Sequence, residues 1–362
     1  MGKTSKDKTI SSLSAEMPKA EEDFQLLVIR LSAMGDVAMT VPVLQRLVKT
    51  YPRLKITVLT KPFFHPIFEE VPGVTIVSAE VNTKHKGIFG LWKLARELQS
   101  LRLHAVADLH NVLRTKILRF FFFFFGIKSA VIDKGRAEKK ELTKLHPKNI
   151  QPLKTTHQRY AKVFAELGLP IDLNVSVEVK KHPIPQFIKE KLTQPRKWIG
   201  IAPFAAHKAK MYPLSKMEEV IAKLDAENKY DILLFGGGKH EEAQLNKLAS
   251  NYKNVISMVG KLTFKEELQT VSNLDVMLSM DSGNGHLAAM FGIPVITVWG
   301  ATHPFAGFAP FQQPKENQLL PDLEKYPLLP TSIYGNKHVE GYEEVMQSIS
   351  PTEILNRIEE VL

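Results

Sequence analysis

The chain has 362 residues, too many for one ordinary hydrophobic core and enough for two domains of roughly 150 residues each. Apolar residues make up 44% and charged residues 24%, the balance of a globular chain, and the absence of cysteine excludes disulfides and thiolate-held metals. The net charge is +10, concentrated in residues 84–162, where 18 Lys and Arg face 5 Asp and Glu. Such a field attracts a polyanion: nucleic acid, an anionic membrane face or a phosphorylated glycolipid.

Residues 1–23 are rich in Lys, Ser and Glu and lack an apolar h-region, so they read as a disordered leader and not as a signal peptide. No stretch reaches the roughly 18 to 20 apolar residues that span a bilayer. Residues 25–31 (QLLVIRL) predict a buried strand, 32–36 (SAMGD) a small-residue turn, and 37–50 a helix. In that helix Val37, Val41, Leu44 and Val48 recur at helical spacing, and Pro52 closes it. Further strands are expected at 55–59, 74–77, 105–108 and 129–132, with helices around 88–101, 113–125 and 157–167. The alternation implies a mostly parallel sheet covered on both faces.

Residues 180–197, with Pro183, Pro185 and Pro195, read as a linker containing a short helix. It divides a domain of residues 24–179 from one of residues 198–350. The second block restarts with a strand at 198–202, a helix at 213–227, a strand at 231–235 and a helix at 240–251 after Gly236, Gly237 and Gly238. Next come a strand at 254–258, a helix at 264–273 and a strand at 275–280. The turn 281–285 (DSGNG) then leads into a helix at 286–291, where Gly292 and Pro294 stop it before a last strand at 295–299. A final helix at 351–362 opens on Pro351.

Ligands of doubly wound domains bind beyond the carboxyl ends of the strands, so the functional loops belong in a cleft between the two. Three loops stand out. Residues 280–286 close a strand and open a helix, where free amides and the helix dipole favour a phosphate. Gly283 and Gly285 admit close backbone approach, while Ser282 and His286 add donors; the same residues also suit a plain turn capped by Asp281 or Ser282. In residues 203–212 (PFAAHKAKMY), Lys208 and Lys210 are point charges within reach of an anion, or solvated lysines. Asp36 falls at the cap or first turn of its helix, where the dipole favours a negative charge, as a general base requires; a simple N-cap fits equally. The first loop lacks the spaced glycines of a dinucleotide fingerprint.

Together these loops resemble one family. The opening LLVIRLSAMGDVAMTVPVLQRLVKTYPRLKITVLT and the later MDSGNGHLAAMFGIPVITVWGATHP are similar to the two signature regions of glycosyltransferase family 9, the ADP-heptose:lipopolysaccharide heptosyltransferases. DLHNVLRTKIL and FGGGKHEEAQLNKLA resemble segments between them. The resemblance implies a GT-B arrangement: α/β, two facing Rossmann-like domains, acceptor in the first and nucleotide-sugar in the second, with no cofactor and no catalytic metal.

Residue by residue, it implies Asp36 as catalytic base and Lys210, Leu262, Asp281, Ser282, Gly283 and His286 as donor-binding residues, Leu262 lying where backbone meets the adenine. Asn284-Gly285 and Lys239 depart from the family pattern. The implied partners are an ADP-heptose donor and an anionic lipopolysaccharide-core acceptor. The implied location is the cytoplasm, peripheral to the inner membrane.

The basic surplus falls in the acceptor half, where Arg114, Lys116 and Arg136 are the acceptor-binding candidates. Nucleic acid is not expected as a partner, because no recognisable nucleic-acid module accompanies the charge. The run of six phenylalanines at 120–125 covers every face of a helix, which suits either a helix buried on most sides or one that dips into a membrane interface.

Overall fold

The computed structural model describes residues 24–146 and 150–362; the expected leader at residues 1–23 lies outside them. The first domain runs β1 (Gln25–Ile29), α1 (Met34–Ala38), α2 (Thr40–Thr50), β2 (Lys55–Thr60), α3 (His65–Phe68), β3 (Val74–Ser78), α4 (Gly87–Gln99) and β4 (Ala105–Asp108). It continues with α5 (Leu113–Phe124), β5 (Lys128–Val131), α6 (Arg136–Leu142) and α7 (Thr156–Glu166). After α8 (Gln186–Lys191), inside the expected linker, the second domain runs β6 (Lys197–Ala202), α9 (Leu214–Ala226), β7 (Tyr230–Leu234), α10 (Gly238–Ala249) and β8 (Val255–Ser257). Then follow α11 (Phe264–Val271), β9 (Val276–Met280), α12 (Gly283–Met290), β10 (Val295–Val298), β11 (Gln318–Leu319) and α13 (Pro351–Val361).

All strand pairs are parallel, in the orders β3-β2-β1-β4-β5 and β11-β10-β9-β6-β7-β8. The continuous apolar run of β1 follows from its central place, since side chains alternate between two covered faces. Leu26 and Val28 pack toward α2, α3 and α7, while Leu27 and Ile29 pack toward α4 and α5. The first of these layers does not end at the domain boundary. Its buried cluster continues through Ile188, Leu268, Val271 and Leu287 of α8, α11 and α12, so the facing layers of the two domains form one core. Polar ties flank it: Thr156 N donates to Gly307 O at 2.8 Å, and His182 pairs with Glu70 at 2.7 Å. The other face of the second sheet is covered by α9, α10 and α13.

Four local expectations need correction. The single helix at 37–50 is two helices that meet at Met39, because Pro42 has no N–H to offer Ala38 and the ladder restarts. The helix expected at 286 begins at Gly283, so Gly283 and Gly285 are helical residues. A Cβ on Gly285 would stand 2.6 Å from Ser279 Oγ, which makes the glycine a packing requirement and not a turn signal. The strand at 295–299 is not the last, since two-residue β11 pairs beside β10. The segment after β5 contains α6, whose RAEKKEL sequence buries only Lys139 and Leu142 and therefore has little apolar period to read.

Candidate active site

Each sheet changes winding direction at one strand. β1 is flanked by β2 and β4, and β6 by β7 and β9, so the crevices open at the carboxyl ends of these strands. The loop after β1 positions Asp36, the loop after β6 positions Lys210, and the loop after β9 positions Asp281 to His286. Asp36, Lys210, Asp281, Ser282, Gly283 and His286 line one cavity of about 260 Å³ between the domains, together with Arg30, Lys134, Lys139 and Arg159.

The two turns that carry the acids touch. A Cβ on Gly35 would stand 2.8 Å from His286 Cδ2, and one on Gly283 would stand 2.6 Å from Met34 Cε. Ordinary carbon contacts are about 3.5–4.0 Å, so only glycine fits at either place without a shift. The sequence supplies glycine where α1 and the start of α12 meet.

On the first-domain side the Asp36 carboxylate is ion-paired to Arg30, whose Nη1 also donates to Leu109 O at 2.6 Å. The Asp36 carbonyl accepts from Tyr160 Oη at 3.2 Å and from Thr40 Oγ1 at 3.1 Å. Main chain and side chain of this residue are thus both fixed, while 30% of the side chain stays exposed to the cleft. On the other side Asp281 Oδ2 accepts from Thr302 Oγ1 at 2.8 Å and pairs with Lys210 Nζ at 2.9 Å. Ser282 Oγ and His286 Nδ1 are buried with no hydrogen-bond partner. Two unsatisfied polar atoms beside the first turn of α12, whose amides also lack intrahelical partners, form a cradle for an anion.

The electrostatics agree with the lining. Burial lowers the His286 pKa, with Asp281 and Asp36 opposing and Lys210 assisting, so the ring is neutral and retains one N–H to donate. Burial, then neighbouring Arg30 and Arg136, lowers Lys134. Burial and the Arg159 charge bring Lys139 down to about 8, where its ammonium lies 3.9 Å from the centre of the Phe308 ring. His110, after β4, falls to about 3 through burial and then the charges of Arg30, Lys134, Lys61 and Arg114. The Arg159 guanidinium occupies the space where a Cβ on Gly135 would be, 2.3 Å from Nη2, and pairs with Glu138 at 2.8 Å. Among the described residues no group of three or more His, Cys, Asp or Glu side chains is placed to hold a metal ion.

A two-domain parallel α/β chain with an anion cradle facing a fixed carboxylate matches the family model of glycosyltransferase family 9 (heptosyltransferase) over residues 91–332. The chain belongs to this family. The transferase is 24% identical over 302 residues to the lipopolysaccharide core heptosyltransferase OpsX of Haemophilus influenzae, covering 81% of this chain and 82% of that one. Its fold is similar to that of a family 9 glycosyltransferase from Veillonella parvula, with TM-score 0.72 and 20% identity over 94% of this chain and 97% of that one. It is also similar to E. coli heptosyltransferase WaaC with ADP, with TM-score 0.63 and 19% identity over 94% of this chain and all of that one. The domains accordingly have the GT-B arrangement.

Of the residues singled out from the transferase sequence, Asp36, Lys210, Asp281, Ser282, Gly283 and His286 line the cavity. Leu262 does not; it is half-buried and packs against the shared core. Arg114, Lys116 and Arg136 are exposed and do not line it either. The cations that do are Arg30, Lys134, Lys139 and Arg159, none of them a candidate from the sequence. One signal was available, a charged residue ending an otherwise apolar strand at Arg30. A second cavity of about 620 Å³ backs onto the Lys210 loop, lined by His207, Lys208, Lys337 and His338 among others; of the residues singled out it contains Lys208 alone.

Proposed function

We propose that this transferase moves a heptose, with inversion, from ADP-heptose to a hydroxyl of an anionic lipopolysaccharide-core acceptor, working peripherally at the cytoplasmic face of the membrane. The observation that supports it best is the meeting of Asp36 and the Lys210, Asp281 and His286 group across one cavity. The donor diphosphate lies on the start of α12, with Ser282, neutral His286 and the Lys210 ammonium as donors. Binding an anion there draws Lys210 from Asp281 and leaves the Asp281 carboxylate free for sugar hydroxyls. The acceptor enters over Lys134, Lys139 and Arg159, which counter its phosphate or carboxylate groups.

Asp36 takes the hydroxyl proton as the acceptor oxygen forms its bond to the anomeric carbon. The bond from that carbon to the diphosphate breaks on the opposite face, its electron pair leaving with ADP. Charge then grows on the phosphate oxygen, where preorganised donors act most strongly. The ADP of the E. coli relative and the Leu262 segment favour adenine as the base. Glu242, whose Oε1 stands 2.7 Å from where a Cβ on Gly260 would be, places an acid near that segment for ribose hydroxyls, in compensation for Lys239.

Asp36→Asn tests the reading. The variant should bind ADP like the parent and lose about 10²- to 10⁴-fold in turnover, the usual contribution of a general base. Undiminished turnover removes Asp36 from the mechanism. A thermal-shift comparison of ADP, UDP and GDP tests the donor, and stabilisation by UDP in preference to ADP refutes the adenine assignment.

A further inference from the structure

The outer face of α4 and α5 exposes what a chain of this kind ordinarily covers. Eleven large apolar side chains are strongly exposed among the described residues, and seven of them lie on these two helices. Phe89 is 84% exposed, Phe123 75%, Leu113 74% and Phe124 67%, with Phe120 and Trp92 above half. Helical geometry explains the pattern. On α5, Leu118 and Phe122 face the sheet and are fully buried, while Leu113, Phe120 and Phe124 recur at intervals of seven and four and form a second apolar stripe on the opposite side. On α4, Leu91, Leu94 and Leu98 face the sheet, and Phe89, Trp92, Lys93 and Arg96 face out. The two helices lie side by side on one face of the first sheet, in the same buried cluster, so their outer stripes share a surface.

Basic residues are interleaved with this surface. Lys93, Arg96, Arg114 and Lys116 are exposed on the two helices. Glu97 is the only acid on either, and Lys84 and His85 hold it. We propose that this face docks on a bilayer that carries anionic headgroups, with the aromatic rings at the level of the headgroup and acyl-chain boundary. The charge selects this occupant over a second copy of the chain, because two such faces brought together would oppose cation to cation. The combination of a lysine- and arginine-bearing rim with Trp, Phe and Leu is what an interfacial helix needs. Among the described residues no helix is long and apolar enough to cross a membrane, so the attachment is lateral. Both helices begin at the carboxyl ends of the strands before them, the same end of the first sheet at which the cavity opens.

The inference deepens the membrane element of the proposed function, yet its measurement needs neither donor nor acceptor. The full chain is sedimented with vesicles of phosphatidylglycerol and phosphatidylcholine, and with vesicles of phosphatidylcholine alone. Binding is expected to the first, with weaker or no binding to the second. Phe120→Ser combined with Phe123→Ser and Phe124→Ser should reduce partitioning at least about ten-fold. Lys93→Gln and Arg96→Gln should each cost about five-fold. All five side chains are exposed, so the thermal midpoint is expected to hold. Brominated acyl chains should quench the fluorescence that Trp92→Phe removes, which reports insertion and not mere electrostatic adhesion.

Parental binding by the triple variant, absence of quenching, or loss only of self-association in the variant overturns the proposal. On a water-soluble acceptor the triple variant should turn over like the parent. If the parent itself fails to turn over any acceptor, the transferase assignments fall while the vesicle result stands.

Discussion

Replacing Gly35 with alanine puts one methyl group where the two domains touch. The new Cβ would sit 2.8 Å from His286 Cδ2 and 3.4 Å from Gly283 Cα. Restoring a normal carbon contact requires the imidazole to retreat by about 0.7 Å or the turns to part by a similar distance. His286 is buried on α12, which belongs to the shared core, so the ring has little room to move. Overpacking of this kind costs about 1–3 kcal/mol, while the better helix propensity of alanine inside α1 returns about 1 kcal/mol. The net loss of stability is therefore small, about 0–2 kcal/mol. The effect on the reaction is larger, because a misplacement near 1 Å between reacting groups costs about 10²-fold. Gly35→Ala should thus lower kcat/KM by tens-fold or more with a thermal midpoint close to that of the parent. Steady-state kinetics, calorimetric ADP binding and a melting curve on the same preparation decide it. Parental kcat/KM would refute the claim that the close approach of the two turns is the reacting arrangement.

Lys210→Ala should weaken ADP binding by about ten-fold or more, since Asp281 then repels the diphosphate with only Thr302 as partner; Lys210→Arg should restore part of the loss, and calorimetry reads both. Lys139, with its pKa brought down to about 8, is cationic below that pH and neutral above it, so KM for an anionic acceptor should rise as pH climbs through about 8. Lys139→Arg should flatten that profile, and a flat profile in the parent would show that Lys139 does not meet the acceptor. Phe122→Ala, at a fully buried site, should cost about 3–5 kcal/mol in denaturant unfolding, whereas neighbouring exposed Phe123→Ala should change stability by less than about 0.5 kcal/mol.

The unequal fates of two adjacent phenylalanines illustrate the limit of local pattern. Six identical residues carry no period, so nothing in residues 120–125 says which side meets the sheet; Leu118 on the preceding turn and the packing of α4 decide it. The start of α12 departs from the expected residue 286 for a related reason. Two glycines within four residues read as a turn by propensity, while the space left by Ser279 and Met34 requires glycine in a helix. The cations of the cavity show the same limit. Arg114, Lys116 and Arg136 lie in the basic stretch and face solvent outside the cavity, whereas Arg30 and Arg159, more than a hundred residues apart, line it together.

By itself the sequence determined the strand and helix alternation, hence two parallel sheets, and the turns that follow β1, β6 and β9, hence Asp36, Lys210 and the residues from Asp281 to His286. These depend on chain-local physics: apolar runs in doubly covered strands, caps at helix starts and ligand loops at strand ends. The tertiary structure alone decided which faces meet, because contact between domains depends on shape and charge at positions distant in sequence. It set Gly35 against His286, fused two helical layers into one core, gathered the cations around the cleft, and left the outer side of α4 and α5 bare.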